Sequence, residues 1–179
     1  MLKKISLVLP FYNELESLKI LIPNLIKNIK NIDVFFEIIL INDNSNDGSL
    51  NFCKTLKIKE YNYKIIIIDL TKRSGQTGAF KEAFKIATGE YIIRMDTDLQ
   101  DQPEDLHLFI EKIYLNYDLI IGYRKKRHHN LLLVALSVIY DQMINILIRS
   151  SLSTHTSSFI AYKTKYLKKL PWYKNDHRY

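Results

Sequence analysis

The sequence predicts an α/β protein: a doubly wound, mostly parallel sheet with helices on both faces. Apolar runs at residues 4–9, 35–41, 64–70, 91–95 and 119–122 read as buried strands, and helical patterns separate them. Polar clusters at residues 10–14, 42–48, 71–76 and 96–101 each follow one of the first four runs. Such a fold gathers those clusters at one rim, beyond the carboxyl ends of its strands, where ligands bind.

The first run closes at Pro10 and leads through a loop into a helix over residues 16–29. Leu18, Leu21, Ile22, Leu25, Ile26 and Ile29 share one face of that helix, and Pro23 is expected to kink or split it. The second run has the composition of a central strand and breaks at a cluster, residues 42–48, rich in turn and N-cap side chains. A helix to about residue 56 and the third strand follow. Gly75 and Gly78 punctuate a loop before a helix at roughly 79–87, and the fourth strand begins at Tyr91. Pro103 suits a first helical turn, with Leu106, Phe109, Ile110 and Ile113 as the apolar stripe behind it.

After Gly122 the character changes. Residues 124–129 form a basic loop, and residues 131–148 are apolar almost all round. That run has the length of a membrane span, yet Asp141, Gln142 and Asn145 interrupt it. It reads as an amphipathic helix lying on the domain or on a membrane surface, or as an ordinary core helix.

The 179 residues suffice for one domain with a real core and are too few for two ordinary ones, so a single domain over 1–179 is expected. A hydrophobic fraction of 47% with 25% charged residues argues against disorder. The formal charge of +7, from 26 Lys and Arg against 19 Asp and Glu, suits a phosphorylated substrate, nucleic acid or an anionic membrane surface. No recognition motif supports nucleic acid. The single Cys53 excludes an internal disulfide framework and a Cys-based zinc cluster. The apolar run before Pro10 is too short for a signal-peptide core, so the expected location is cytoplasmic, peripheral on the inner face of a membrane if one is involved.

The stretch that organises the chain is residues 91–104, where a strand delivers Asp96 and Asp98 one residue apart at its carboxyl end. Carboxylates so close repel one another unless a cation lies between them. The functional reading is a divalent metal held by Asp96 and Asp98, with an amide oxygen from Gln100 and Asp101 close behind. Oxygen ligands point to Mg²⁺ or Mn²⁺ rather than zinc. The plain reading is an acidic turn between a strand and a helix.

Four clusters in order carry a resemblance: Pro10 to Glu14, Ile41 to Asp47, Gly75-Gln76, and Met95 to Asp101. Together they resemble the family 2 glycosyltransferases of the GT-A fold. The Leu-Gln-Asp after the Asp-X-Asp points to the branch that moves a sugar from a nucleotide onto a polyprenyl phosphate, as dolichyl-phosphate mannose synthases and undecaprenyl-phosphate glycosyltransferases do.

The resemblance implies that Pro10, Tyr12, Glu14 and Asp43 hold the nucleoside and that Ile41 lines the pocket. It assigns Lys72, Gln76, Asp96 and Thr97 to the donor and makes Asp96, Asp98 and Gln100 the metal ligands. Arg124 falls where the family offers an Arg to the phosphates at the reaction centre, and Ser137 near the acceptor phosphate. The implied partners are a UDP- or GDP-sugar and a polyprenyl phosphate or related glycan acceptor. A phosphate acceptor is already ionised and needs no base, whereas a hydroxyl acceptor would, with Asp101 or Asp176 as candidates.

Several family features are absent. The usual acidic pair after the second strand is Asn42-Asp43, and the usual Arg-Asn-Phe-Gly-Gln stretch is Lys72-Arg73-Ser74-Gly75-Gln76. Leu133 and Ile160 stand where arginines are expected, and Thr154 where an Asp is expected. The chain stops at Tyr179, where the family continues, so it is expected to be C-terminally truncated. These departures favour, as the alternative, a truncated or degenerate nucleotide-sugar-binding protein with little catalysis. A receiver-type signalling domain with a phosphorylatable Asp69 leaves the Tyr12-Asn13-Glu14 and Gln100-Asp101 motifs without a role.

Overall fold

The computed structural model describes residues 3–123, 139–140, 142–147, 149 and 157–169. Six strands form one sheet: β1 (Lys3–Phe11), β2 (Val34–Asn42), β3 (Tyr63–Asp69), β4 (Tyr91–Arg94), β5 (Leu119–Ile121) and β6 (Ile160–Lys163). Their spatial order is β3-β2-β1-β4-β6-β5. The neighbours from β3 to β4 are parallel, while β6 runs antiparallel to both β4 and β5. Strand order reverses between β1 and β4, and the crevice above that switch point is where such sheets take ligands.

Both faces of the sheet are covered, which is why its strands show continuous apolar runs. Helices α1 (Leu15–Ile29), α2 (Ser49–Thr55) and α4 (Leu106–Tyr114) bury one face against Ile5, Leu7, Leu9, Phe36, Ile38 and Ile93. Helix α3 (Gly75–Ile86) covers the other, packing Ala79, Phe80 and Ala83 on Val8, Ile39, Ile41 and Ile92. Gly89 lets the chain turn from α3 into β4 hard against β1. A Cβ there would sit 2.5 Å from the Ser6 nitrogen, so no larger residue fits without moving the backbone.

Three expectations are revised. Pro10 does not end β1, which runs on to Phe11. The edge of β1 at Pro10 faces past the end of β4, where no ladder bond is lost, and the Pro10 carbonyl accepts from Thr97 Oγ1 at 3.1 Å. Pro23 does not split α1: the bond it removes belongs to the carbonyl of Lys19, on an exposed stretch open to solvent. Helix α3 begins at Gly75 instead of residue 79, because a side chain from another loop caps it.

Candidate active site

The loops after β1 and β2 are stitched together by short polar side chains. Asn13 N donates to Ser45 Oγ at 3.0 Å, and Asn46 N donates back to Asn13 Oδ1 at 2.9 Å. Asn13 and Asn44 adopt left-handed backbone at φ 55° and 64°, a conformation that asparagine tolerates well. Asp47 accepts from Leu15 N at 3.0 Å and from the Ser49 backbone and hydroxyl, so it caps α1 from across the loop. Burial pushes its carboxyl up, but the hydrogen bonds from Ser49 and Leu15 outweigh this and hold it below the usual carboxylate range.

Asp43 does the same for α3. Its two oxygens accept from Ser74 N at 2.6 Å and Gly75 N at 2.9 Å. Asn42, in place of the expected acid, accepts from Ser45 N and donates to Asp69 Oδ1 at 2.8 Å. The negative charge absent at position 42 therefore stands one strand over, at Asp69.

The turn after β4 is held from inside. Asp101, 3% exposed, accepts from Asp96 N at 3.1 Å and from Ser158 Oγ at 3.0 Å. Asp98 Oδ1 accepts from Gln100 N at 3.1 Å, and Leu99 takes a left-handed φ of 66°. Gln76 Nε2, from the first turn of α3, donates to Asp96 Oδ1 at 2.8 Å. Arg94 Nη2 lies 3.9 Å from that same oxygen.

These loops enclose a cavity of about 270 Å³ at the switch point. Of the predicted residues, Pro10, Tyr12, Glu14 and Asp43 line one side, and Gln76, Asp96, Thr97 and Asp98 the other. Gln100 and Asp101 line instead a second cavity of about 540 Å³, with Leu108, Phe109, Gly122 and Tyr123. The turn from Asp96 to Asp101 is the partition between the two. Ile41 is fully buried in the core beneath α3 and lines neither cavity. Lys72 is exposed and also lines neither. Arg124, Ser137, Leu133, Thr154, Asp176 and the basic loop lie outside the described residues.

Two residues escape the reading of the sequence. Arg73, not Lys72, lines the first cavity, its guanidinium carbon 3.9 Å from the centre of the Tyr12 ring. Which of two adjacent cations turns inward is a matter of loop geometry, and only the structure shows it. Arg94 is the other: a charge at the end of an apolar strand, 8% exposed. That signal was present in the sequence.

Among the described residues no three His, Cys, Asp or Glu side chains gather as a metal cluster. Nor is any helix there long and apolar enough to cross a membrane.

A doubly wound sheet with a polar cleft above its switch point defines a ligand-binding α/β domain. Its family is then fixed by sequence: the chain belongs to the glycosyltransferases of family 2, whose description as "Glycosyl transferase family 2" matches residues 6–171. It is 34% identical over 129 residues to the undecaprenyl-phosphate 4-deoxy-4-formamido-L-arabinose transferase of Proteus mirabilis, covering 72% of this chain and 39% of that one.

Among solved structures it resembles the mannosyltransferase PcManGT of Pyrobaculum calidifontis in complex with GDP-Man and Mn²⁺. The TM-score is 0.71 at 17% identity, covering 94% of this chain and 47% of that one. S. aureus TarS 1-349 in complex with UDP-GlcNAc gives a TM-score of 0.66 at 20% identity, covering 92% and 46%. These likenesses establish the GT-A fold. The chain spans less than half the length of each of the three proteins.

Proposed function

We propose that this domain binds a UDP- or GDP-sugar and, with a divalent metal, transfers the sugar with inversion to a polyprenyl phosphate. The observation that carries this reading is the cavity at the switch point, lined by Asp43, the aromatic Tyr12 and the paired carboxylates Asp96 and Asp98. Family membership and the similarity to an undecaprenyl-phosphate transferase support the acceptor class.

Asp96 and Asp98 offer oxygen ligands only, and no third carboxylate or imidazole gathers with them among the described residues. Such a donor set fits Mg²⁺ or Mn²⁺, which fill their remaining positions with phosphate oxygens and water. When bound, the ion supplies Lewis acidity to the departing nucleoside diphosphate. Gln76 orients Asp96, and Asp101 fixes the turn that presents both carboxylates.

Arg73 brings positive charge to the donor where the family has its Arg one position earlier, and Tyr12 gives the nucleoside a flat face. Asp43 has lone pairs left after capping α3 and accepts from the base. Because an acceptor phosphate is already ionised, no general base is needed, and attack opposite the leaving group inverts the anomeric centre. By resemblance, Arg124 adds charge at the reacting phosphates, Ser137 meets the acceptor phosphate, and the basic segment that follows β5 meets an anionic membrane surface.

Thermal unfolding with UDP, GDP and their sugars, each with and without Mn²⁺, tests the reading. One nucleotide series is expected to raise Tm by a few degrees with metal, and Asp98→Asn to abolish the rise. A folded protein that no nucleotide stabilises would leave only the ancestry, and the degenerate binding protein would take its place.

A further inference from the structure

Arg94 is an uncommon residue for the end of a buried parallel strand. Its side chain is 10% exposed, its guanidinium carbon lies 4.4 Å from the centre of the Phe80 ring beneath α3, and its Nε has no hydrogen-bond partner. A charge so buried needs a counter-charge. The one ion-pair partner within 4 Å among the described residues is Asp96 Oδ1, at 3.9 Å. That carboxylate also lines the donor cavity.

The strand register adds an independent observation. Arg94 pairs directly with Ile160 across β4 and β6, so the two side chains stand on the same face of the sheet. Position 160 is where the resemblance leads one to expect an arginine, and Ile160, 8% exposed, brings no charge there. A guanidinium is thus present at this spot, delivered from the neighbouring strand.

Resting on the donor-site reading above, we infer that Arg94 is a positioning residue whose charge stands in for the arginine missing at 160. It holds Asp96 and provides the donor's diphosphate with fixed positive charge from within the protein. Two consequences have opposite signs. A fixed cation beside Asp96 opposes a second cation at the same carboxylate, so Arg94 weakens the binding of free Mn²⁺. The same charge attracts the diphosphate, so Arg94 strengthens nucleotide binding when metal is absent. At several ångströms and an effective dielectric near 20, either effect amounts to about tenfold in affinity.

Calorimetric titration of the full chain tests this, with Mn²⁺ alone and with the stabilising nucleoside diphosphate in EDTA. Arg94→Met is expected to bind Mn²⁺ about tenfold more tightly and the metal-free diphosphate about tenfold more weakly. Adding Ile160→Arg to Arg94→Met is expected to restore both values. Arg94→Gln, which retains a polar side chain, serves as the second variant, with ligand-free melts to establish that each protein is folded. If both affinities fall together, or neither changes, Arg94 is structural and the inference is overturned. If the wild-type protein binds no nucleotide with or without metal, the donor-site reading fails and takes this inference with it, a result distinguishable from the first because no variant is involved.

Discussion

The two ends of this sheet each hold buried or half-buried carboxylates, and they hold them differently. Toward the amino ends of the central strands, Glu37 is fully buried on β2. Ser6 Oγ donates to it at 2.7 Å, Thr88 N at 2.8 Å and Thr88 Oγ1 at 2.9 Å, while Lys64 and Lys4 approach to 3.0 and 3.2 Å. It lines neither of the two cavities described above. At the carboxyl rim Asp98 is exposed, and Asp96, half-buried, faces an arginine at 3.9 Å. A carboxylate enclosed by donors ties strands together; on the proposed reading, a carboxylate left toward a cleft is kept for a ligand. Burial alone therefore does not distinguish the two ends; what a carboxylate faces does.

The largest expected effect tests the amino end. Glu37→Gln leaves two lysines and the Thr88 backbone without their anion and is expected to cost about 3 kcal/mol of stability, read by denaturant unfolding, with nucleotide affinity unchanged. Asp98→Asn is expected to behave inversely, losing metal-dependent nucleotide binding at nearly wild-type stability.

Acid gives the next contrast. Burial raises the Glu37 carboxyl, but hydrogen bonds from Ser6, Thr88 and Lys64 outweigh it and bring the pKa from 4.5 down to about 2. A carboxyl depressed in the folded state contributes stability that is complete above 4.5 and is lost as pH falls toward 2. Unfolding free energies measured across that window should fall by about 3 kcal/mol more in the wild type than in Glu37→Gln. Equal slopes would remove Glu37 from the account of acid stability.

The smallest effect sharpens the rim. Arg73→Ala is expected to weaken nucleotide binding by about 1 kcal/mol, and Lys72→Ala by a few tenths at most. The reverse order would return the donor contact to Lys72.

Much of this was legible in the sequence because it is local. The strands β1 to β4 show as apolar runs, and the rim residues Tyr12, Asp43, Asp96 and Asp98 follow them as turn-forming clusters. What was not legible depends on partners distant along the chain. The start of α3 is fixed by Asp43, more than thirty residues earlier, and its own N-cap Ser74 makes no side-chain cap. The insertion of β6 between β4 and β5 is a pairing made by residues 160–163, which no periodicity near β5 announces. Glu37 passed as part of an apolar run because its donors come from β1, β3 and the turn before β4.

The double duty of Asp43 bears on how such a protein diversifies. On the proposed reading, one carboxylate both recognises the nucleoside and starts a helix whose next residue, Gln76, steadies Asp96. A mutation at Asp43 that altered base preference would also unwind the first turn of α3 and loosen the acidic turn across the cleft. Selection for a new nucleotide is therefore confined to neighbours without a structural task, Arg73 foremost, and lineages that change donors are expected to vary there while Asp43 stays fixed.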